Sequence, residues 1–389
     1  MMDIPSAPLG EIASIVRGVT FSKSDAVNQP ADGHLPVLRA GNIQDSLVLD
    51  DDLVYVPREK VNEKQILRKG DIVICTSSGS SEVVGKTARA THDWEGSFGA
   101  FCAGIRARRN KCDPSFLFYY LKSPQFRLWT QRSSGANIKN IRKSELDLFE
   151  VPLPPLSEQR RIAAILDKAD GIRRKREQVL VMIDGLLQST FLEMFGHPLS
   201  PSAKLPVKPL SELGRIDTGK TPPTSDPNNY GSGVPFVTPG DLGDLVFLTN
   251  REISEKGTSS SKVVERGATM VCCIGATIGK MGLVTQRSAF NQQINAVSWG
   301  EKIDPLYGYI GMTFLAAHIA NAGTSTTLPI LKKSSFSKIN FPVPPIERQR
   351  EFSRIVEAAW SSKERQTGQL HEAENFFQSL SQRAFRGEL

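Results

Sequence analysis

The residues of this 389-residue chain that most invite a chemical reading are "GRIDTGKTPP", Gly214 to Pro223. They fit G-x-x-x-x-G-K-[ST], the loop that wraps phosphates in many ATPases. Such a loop must open a helix, because the free amides of a helix N-terminus hold the phosphates. Here Pro222 and Pro223 follow Thr221 directly. Proline has no N–H and drives the residue before it out of helical geometry. The stretch predicts a strand and a turn, and it argues against ATP binding. Five cysteines (Cys75, Cys102, Cys112, Cys272, Cys273) form neither a CxxC pair nor a disulfide framework. Reduced thiols and a cytoplasmic location are the expectation. With five histidines and no Cys/His group at ligand spacing, no metal is expected.

A second motif is "DPSF", Asp113 to Phe116, a faint match to the DPPY motif of adenine methyltransferases. It has a sibling, "DPLY", Asp304 to Tyr307, and an apolar helical pattern follows both. Asp as N-cap with Pro at the first helical position accounts for the pair without any catalysis. The sibling belongs to a general repeat. "PLGEIASIVRGVT" (Pro8 to Thr20) aligns with "PLSELGRIDTGKT" (Pro209 to Thr221), "LPVLRAGNI" with "VPFVTPGDL", and "KGDIVIC" with "RGATMVC". "VGKTA" (Val84 to Ala88) matches "IGKMG" (Ile278 to Gly282), and "VPLPPLSEQRRI" matches "FPVPPIERQREF". In the first copy the partner of the phosphate-loop look-alike is "ASIVRGVT", which lacks the first glycine and the lysine.

The elements that position these motifs are of two kinds. The long segments read as mixed strand and helix, with short apolar runs such as "DIVICT" and "TMVCCI" bounded by Gly and Ser. The short segments are helical. Ile162, Ile165, Ala169, Ile172, Val179, Ile183 and Leu186 recur at spacings of three and four with Arg176 the one charged interruption, and the second copy offers Phe352, Ile355, Val356, Ala359, then Leu370, Ala373, Phe376, Phe377 and Leu380. A helix of about 40 residues is ~60 Å long. Each is launched by a Pro-Pro pair, and the polar middle "SSKERQTGQ" (Ser361 to Gln369) weakens the second seam. Because the first helix delivers the chain to the second globular segment, pairing the seams requires the second to run back. The expected fold is mixed α/β: two homologous globular domains joined by an antiparallel pair of long coiled-coil helices, with pseudo-two-fold symmetry.

Net charge is +7 and pI about 9.1. The surplus lies mainly in residues 1–156 and 197–346, and no run approaches the ~18 apolar residues of a membrane helix. A rod separating two sibling domains acts as a ruler, and DNA presents equivalent groove faces every ~34–36 Å. A diverged duplicate can read two unlike half-sites. The alternative is a protein-interaction scaffold whose terminal domains do not bind DNA, and salt dependence separates the two. An enzyme is the weakest reading, because no nucleophile–base set recurs in the two copies.

The chain resembles the DNA-specificity subunits of type I restriction–modification systems along essentially its whole length. The residues that carry the resemblance are "PLPPLSEQRRIAAILDKAD" (Pro152 to Asp170), "PVPPIERQREFSRIVEAA" (Pro342 to Ala359), "FLEMFG" (Phe191 to Gly196), "RAFRGEL" (Arg383 to Leu389) and "TGKTP" ahead of "VPFVTPGDL". The resemblance implies target-recognition domains at 1–150 and 199–341, with helical regions at 151–198 and 342–389. It implies a non-catalytic chain whose partners are double-stranded DNA, two modification (methyltransferase) subunits and a restriction subunit, without membrane contact. No cofactor is expected on this chain; S-adenosylmethionine belongs to the methyltransferase, ATP and Mg to the restriction subunit. Hydroxyl, amide and basic residues in paired loops are the candidate DNA contacts: Ser77, Ser78, Lys86, Arg89, Asn137 and Lys139 in the first copy, Lys220, Thr221, Thr277, Lys280, Thr326 and Lys332 in the second. Candidate partner contacts are Ile162, Ile165, Ile172, Val179, Phe352, Ile355 and Phe376. "RRKR", Arg173 to Arg176, reads as a solvated face or a partner contact.

Overall fold

The computed structural model describes residues 4–80, 82–132, 139–201, 205–246, 248–323 and 329–389. They form two compact units, Met1–Glu177 with Gly368–Leu389, and Gln178–Thr367. Unit 1 contains β1 (Ala13–Arg17), β2 (His34–Leu38), β3 (Val54–Pro57), β4 (Ile72–Cys75), β5 (Thr87–Arg89), β6 (Ser97–Phe98) and β7 (Cys102–Ala107). Its helices include α1 (Pro114–Leu121) and the first part of α2 (Leu156–Phe195). Unit 2 contains β8 (Gly214–Thr218), β9 (Tyr230–Val237), β10 (Leu245–Val246), β11 (Glu252–Ile253), β12 (Val263–Val264), β13 (Thr269–Cys272), β14 (Met281–Val284), β15 (Ser288–Phe290) and β16 (Ile294–Trp299). Its helices include α3 (Pro305–Thr313) and the first part of α4 (Ile346–Phe385).

The repeat in the sequence is a repeat in topology. Unit 1 has a four-stranded sheet in the order β1-β7-β4-β5 and a three-stranded sheet β3-β2-β6. Unit 2 has β8-β16-β13-β14-β10 and β11-β9-β15-β12, one strand more in each sheet. The central strands are buried on both faces, so successive side chains serve different cores. Ile72 and Ile74 join the cluster shared with the helices, while Val73 and Cys75 join the one shared with Leu38 and Phe98 of the outer sheet. In β13, Val271 faces the helices' cluster and Met270 and Cys272 the outer one.

Asp113 caps α1, its Oδ1 accepting from the amides of Ser115 (2.9 Å) and Phe116 (3.1 Å) with Pro114 in the first turn. Asp304 caps α3 through Leu306 N–H at 3.0 Å. The Asp-Pro pairs are therefore helix starts. The look-alike phosphate loop is a strand end. Gly219 N–H donates to Ile294 O and Lys220 N–H to Phe290 O, so its amides are already engaged. A Cβ on Gly219 meets Asn291 O at 2.0 Å, and one on Gly18, its counterpart, meets Gly99 O at 2.0 Å. The glycine is there because two backbones touch.

Each long helix is pinned where it starts. Gln159 is 1% exposed and Gln349 not at all. The Gln159 carboxamide accepts from Asp113 N–H (2.9 Å) and donates to Lys111 O and Pro154 O. Gln349 does the same with Asp304 N–H (2.8 Å), Lys302 O and Pro344 O. Within each unit the helices run antiparallel. In unit 1, Ile162 and Leu166 share a core with Leu380 and Ala384, and Arg176 further along α2 donates to Gln369. In unit 2, Asp184 pairs with Lys363, Phe191 packs on Phe352 with ring centroids 5.4 Å apart, and Arg348 donates to Met194 O.

Three expectations need correction. The middle of the seam is not apolar: Ile172 is 45% and Leu186 55% exposed, and the contacts there include an ion pair, Asp184 with Lys363, and an amide contact, Arg176 with Gln369. Arg173 is not a solvated residue; it is buried among carboxylates. And one helix, Leu156–Phe195, is long and apolar enough by length and composition to cross a membrane, through an 18-residue window of mean hydropathy 1.2. Leu187, Phe191 and Phe195 of α2 are nonetheless buried in the core of unit 2.

Replacing Gly219 by alanine forces apart the β8 and β15–β16 backbones and is expected to destabilise unit 2 by about 2–4 kcal/mol. Gly368→Ala, where nothing lies within 4 Å, is expected to stabilise α4 by ~1 kcal/mol. Urea unfolding of the two variants checks both signs.

Candidate nucleic-acid interface

The paired loops singled out in the sequence gather at one end of each inner sheet, the end where β4 and β13 exit. In unit 1, the short strand Ser77–Ser78 pairs antiparallel with Lys139–Asn140, in the register Lys139 with Ser78 and Asn140 with Ser77. Ile141 N–H donates to Thr76 O at 2.8 Å. The polar loop that precedes the long helix is thus stitched to the end of the central strand. Unit 2 repeats the stitch: Ile274 bridges Ile330, Gly275 N–H donates to Pro329 O and Leu331 N–H to Cys273 O. Asn137 and Thr326 lie outside the described residues.

The Gly-Lys turns close the same end. Gly85 and Gly279 have φ of 81° and 91°, a region glycine enters without strain. A Cβ there also collides, with Thr130 at 2.7 Å or with Ala316 O at 2.6 Å. The residue after each glycine, Lys86 or Lys280, is exposed. Cys75 N–H donates to Lys86 O and Cys272 N–H to Lys280 O, so both lysines are tied in the same way to the end of the central strand. Thr277 is exposed and its carbonyl accepts from Lys280 N–H. Lys220 is exposed where β8 ends, and the Thr221 hydroxyl lies 2.6 Å from Gln292 Oε1. Lys332 is exposed just before a short helix, Lys333–Phe336.

Arg89 sits elsewhere. Strand β5 runs away from the Gly-Lys turn, and Arg89 pairs with Ile72 at the opposite end of β4. Its guanidinium is held by Asp167 of α2 at 2.9 Å and by Ser115, and lies over the rings of Phe118 and Tyr119. Among the partner-facing candidates, Ile162 and Phe352 are buried in their own units, Ile165 and Val179 are half-buried, and Ile172, Ile355 and Phe376 are exposed.

Sequence reasoning missed the loop that enters β7 and β16. Phe101 is 68% exposed, and its carbonyl accepts from Thr76 and Ser77 N–H. Its counterpart in unit 2 is the amide-rich Asn291-Gln292-Gln293. An aromatic followed by a cysteine strand carries no repeat signal, so alignment of the copies passes over it. A cleft of about 870 Å³ in unit 1 opens beside this end, lined by Ser78, Lys86, Lys122, Arg127, Gln44 and Asp45 among others. In unit 2, Lys280 Nζ instead donates to Pro239 O (3.0 Å) and Gly240 O (3.3 Å). The nearby Asp241 carboxyl is pushed up by partial burial, but hydrogen bonds from Thr238 and Asn250 and the charge of Lys280 leave it below its ordinary value.

A duplicated sheet module, set on its own helical seam and offering hydroxyls, amides and lysines at one strand end, defines a class of two-domain recognition proteins. The family model described as "type I restriction modification DNA specificity domain" matches residues 3–181 and again 204–374. The chain is 31% identical to the type I restriction enzyme EcoKI specificity subunit of Escherichia coli K12, over 98% of this chain and 88% of that one. It is 28% identical to the StySPI specificity subunit of Salmonella potsdam, over 99% and 89%. The fold matches the type I restriction–modification S subunit from M. genitalium with a TM-score of 0.61, at 16% identity and over 99% and 97% of the two chains. The chain belongs to the type I restriction–modification DNA specificity family.

The five cysteines are buried and form no disulfide with one another. Burial pushes the thiols of Cys102, Cys112 and Cys273 up to about 12. The thiolate is the nucleophile, so these buried groups stay protonated and unreactive around neutral pH. Iodoacetamide at pH 8 is expected to label none of the three in the native protein and all of them in urea, as peptide mass spectrometry reads directly.

Proposed function

We propose that this chain is the sequence-reading subunit of a type I restriction–modification complex, and that each unit reads one half of a bipartite, asymmetric site in double-stranded DNA. The observation that carries the reading is the repetition, on two diverged copies, of one constellation at the exit of the central strand: a stitched polar loop, an exposed Gly-Lys turn and the end of the first sheet strand. Phosphate contact needs cations, hydroxyls and free amides, and base reading needs donors and acceptors held at a groove. Lys86, Ser77 and Ser78 supply these in residues 1–150, and Lys139 is kept as a candidate by residue type alone. Lys220, Thr221, Thr277, Lys280 and Lys332 supply them in residues 199–341, together with Gln292. Asn137 and Thr326 lie outside the described residues, and Arg89 is left out because it sits at the opposite end of β4. Phe101 against Gln292 and Gln293 supports two unlike half-sites, since a ring stacks or wedges where an amide hydrogen-bonds.

The helical regions 151–198 and 342–389 set the separation of the half-sites and dock two methyltransferase subunits. Exposed apolar residues on them, Ile172, Met182, Ile355 and Phe376 among others, are suited to that contact. Methyl transfer from S-adenosylmethionine to an adenine turned out of the duplex, and ATP-driven cleavage, then belong to partner subunits, and this chain supplies no catalytic residue.

Methylation of a duplex carrying the site is expected to be nil with this chain alone and to appear when the modification subunits are added. Binding by that complex is expected to fall about a thousandfold between ~50 and ~200 mM salt. Lys86→Ala and Lys280→Ala are each expected to lower the log–log salt slope by about one. Salt-independent binding, or methylation by the chain alone, contradicts the proposal.

A further inference from the structure

Each unit carries an ion pair that joins the same loop to the same place on a long helix. The loop follows β2 in unit 1 and β9 in unit 2, within the aligned stretches "LPVLRAGNIQD" and "VPFVTPGDLGD". It is built alike in both. Asn42 Oδ1 accepts from Arg39 N–H at 2.8 Å, and Asp241 Oδ2 from Thr238 N–H at 2.8 Å. Its last residue is Asp45 or Asp244. Asp45 meets Arg173 of α2 at 3.1 Å and Lys122 at 3.2 Å, and its carbonyl accepts from Arg174. Arg173 is fixed in turn by Asp170 at 3.0 Å and by Glu177. Asp244 meets Lys363 of α4 at 2.7 Å, and Lys363 also holds Asp184 at 2.8 Å. Arg173 and Lys363 stand equally far along their helices from Pro154-Pro155 and Pro344-Pro345. Exposed ion pairs are usually incidental, but here both partners recur at equivalent positions of a duplication that has lost most other identities.

The other end of the loop reaches the candidate interface. In unit 2, Lys280 Nζ donates to Pro239 O and Gly240 O of this loop. In unit 1, Gly41 and Gln44 of this loop line the same cleft as Ser78 and Lys86. The loop is a strut between the Gly-Lys turn and the long helix.

We propose that Asp45–Arg173 and Asp244–Lys363 are positioning pairs: each anchors the strut to its helix, so that Lys86 or Lys280 is presented at a fixed place on its half-site. The pairs touch no DNA and act through the loop. This rests on the assignment of one half-site to each unit. Its consequence is local, because each pair governs the half-site of its own unit.

The test is methylation by the full complex on duplexes carrying one wrong base in one half-site or the other. Asp45→Asn and Asp244→Asn suit it, because both carboxylates are exposed and neither change strands a buried charge. Discrimination at the half-site read by residues 199–341 is expected to fall about fivefold in Asp244→Asn, the fold-change of ~1 kcal/mol, with the other half-site unchanged. Asp45→Asn is expected to do the reverse. Lys363→Met is expected to match Asp244→Asn, and Lys363→Arg to restore discrimination. Equal loosening at both half-sites, or discrimination within twofold of wild type in all variants, overturns the positioning role. If the wild-type complex itself shows no base discrimination, the DNA-reading assignment fails first, which separates the two outcomes.

Discussion

The arrangement depends on one buried carboxamide, used twice. Gln159 and Gln349 sit in the first turn of the long helices and satisfy three backbone groups each, one from the start of the capped helix and two from the chain on either side. A buried amide left half-satisfied costs about 1–3 kcal/mol. The geometry that satisfies all three contacts allows only one direction for the helix to leave its domain. Pro154-Pro155 and Pro344-Pro345 add a stiff, extended entry that cannot be absorbed into the helix. The start of each long helix is therefore tied to its own domain by contacts that do not depend on the coiled-coil seam, and the apolar ends of the seam add to that hold.

Divergence between the copies has kept this frame and changed what hangs on it. The Asp-Pro cap, the Gly-Lys turn with its left-handed glycine, and the glycine at the close backbone approach are retained. Arg173 has become Lys363, a two-partner point charge in place of a fork that engages three carboxylates. The loop before β7 carries a ring and the loop before β16 a row of amides. Identity kept in the frame and lost at the strand ends is the pattern expected of two modules that share a fold and read different sequences.

Much of this was legible in the residues, because the signals were local. Two prolines after Thr221 ruled out a phosphate loop, and the structure adds the reason for Gly219, a close approach of backbones. Asp113-Pro114 and Asp304-Pro305 announced helix starts. The three-and-four spacing gave two helices that are each continuous from first turn to last. What was not legible is what depends on pairing between distant segments. Arg89 is adjacent to the Gly-Lys turn in sequence, yet a strand carries it to the far end of the sheet. Ile172 and Leu186 fit the seam pattern, yet both are exposed in the fold. Arg173 reads as one of four surface cations, and only the fold brings Asp45 to it. Phe101 had no sibling to flag it.

The central claim is that each unit reads its own half of one site. Genome-wide mapping of methylated adenines tests it most directly, in cells making the complex with this chain and again with residues 1–150 exchanged for those of another family member. One half of the methylated motif is expected to change while the other half and the separation between them stay as they were. A motif that changes in both halves, or in neither, contradicts the account.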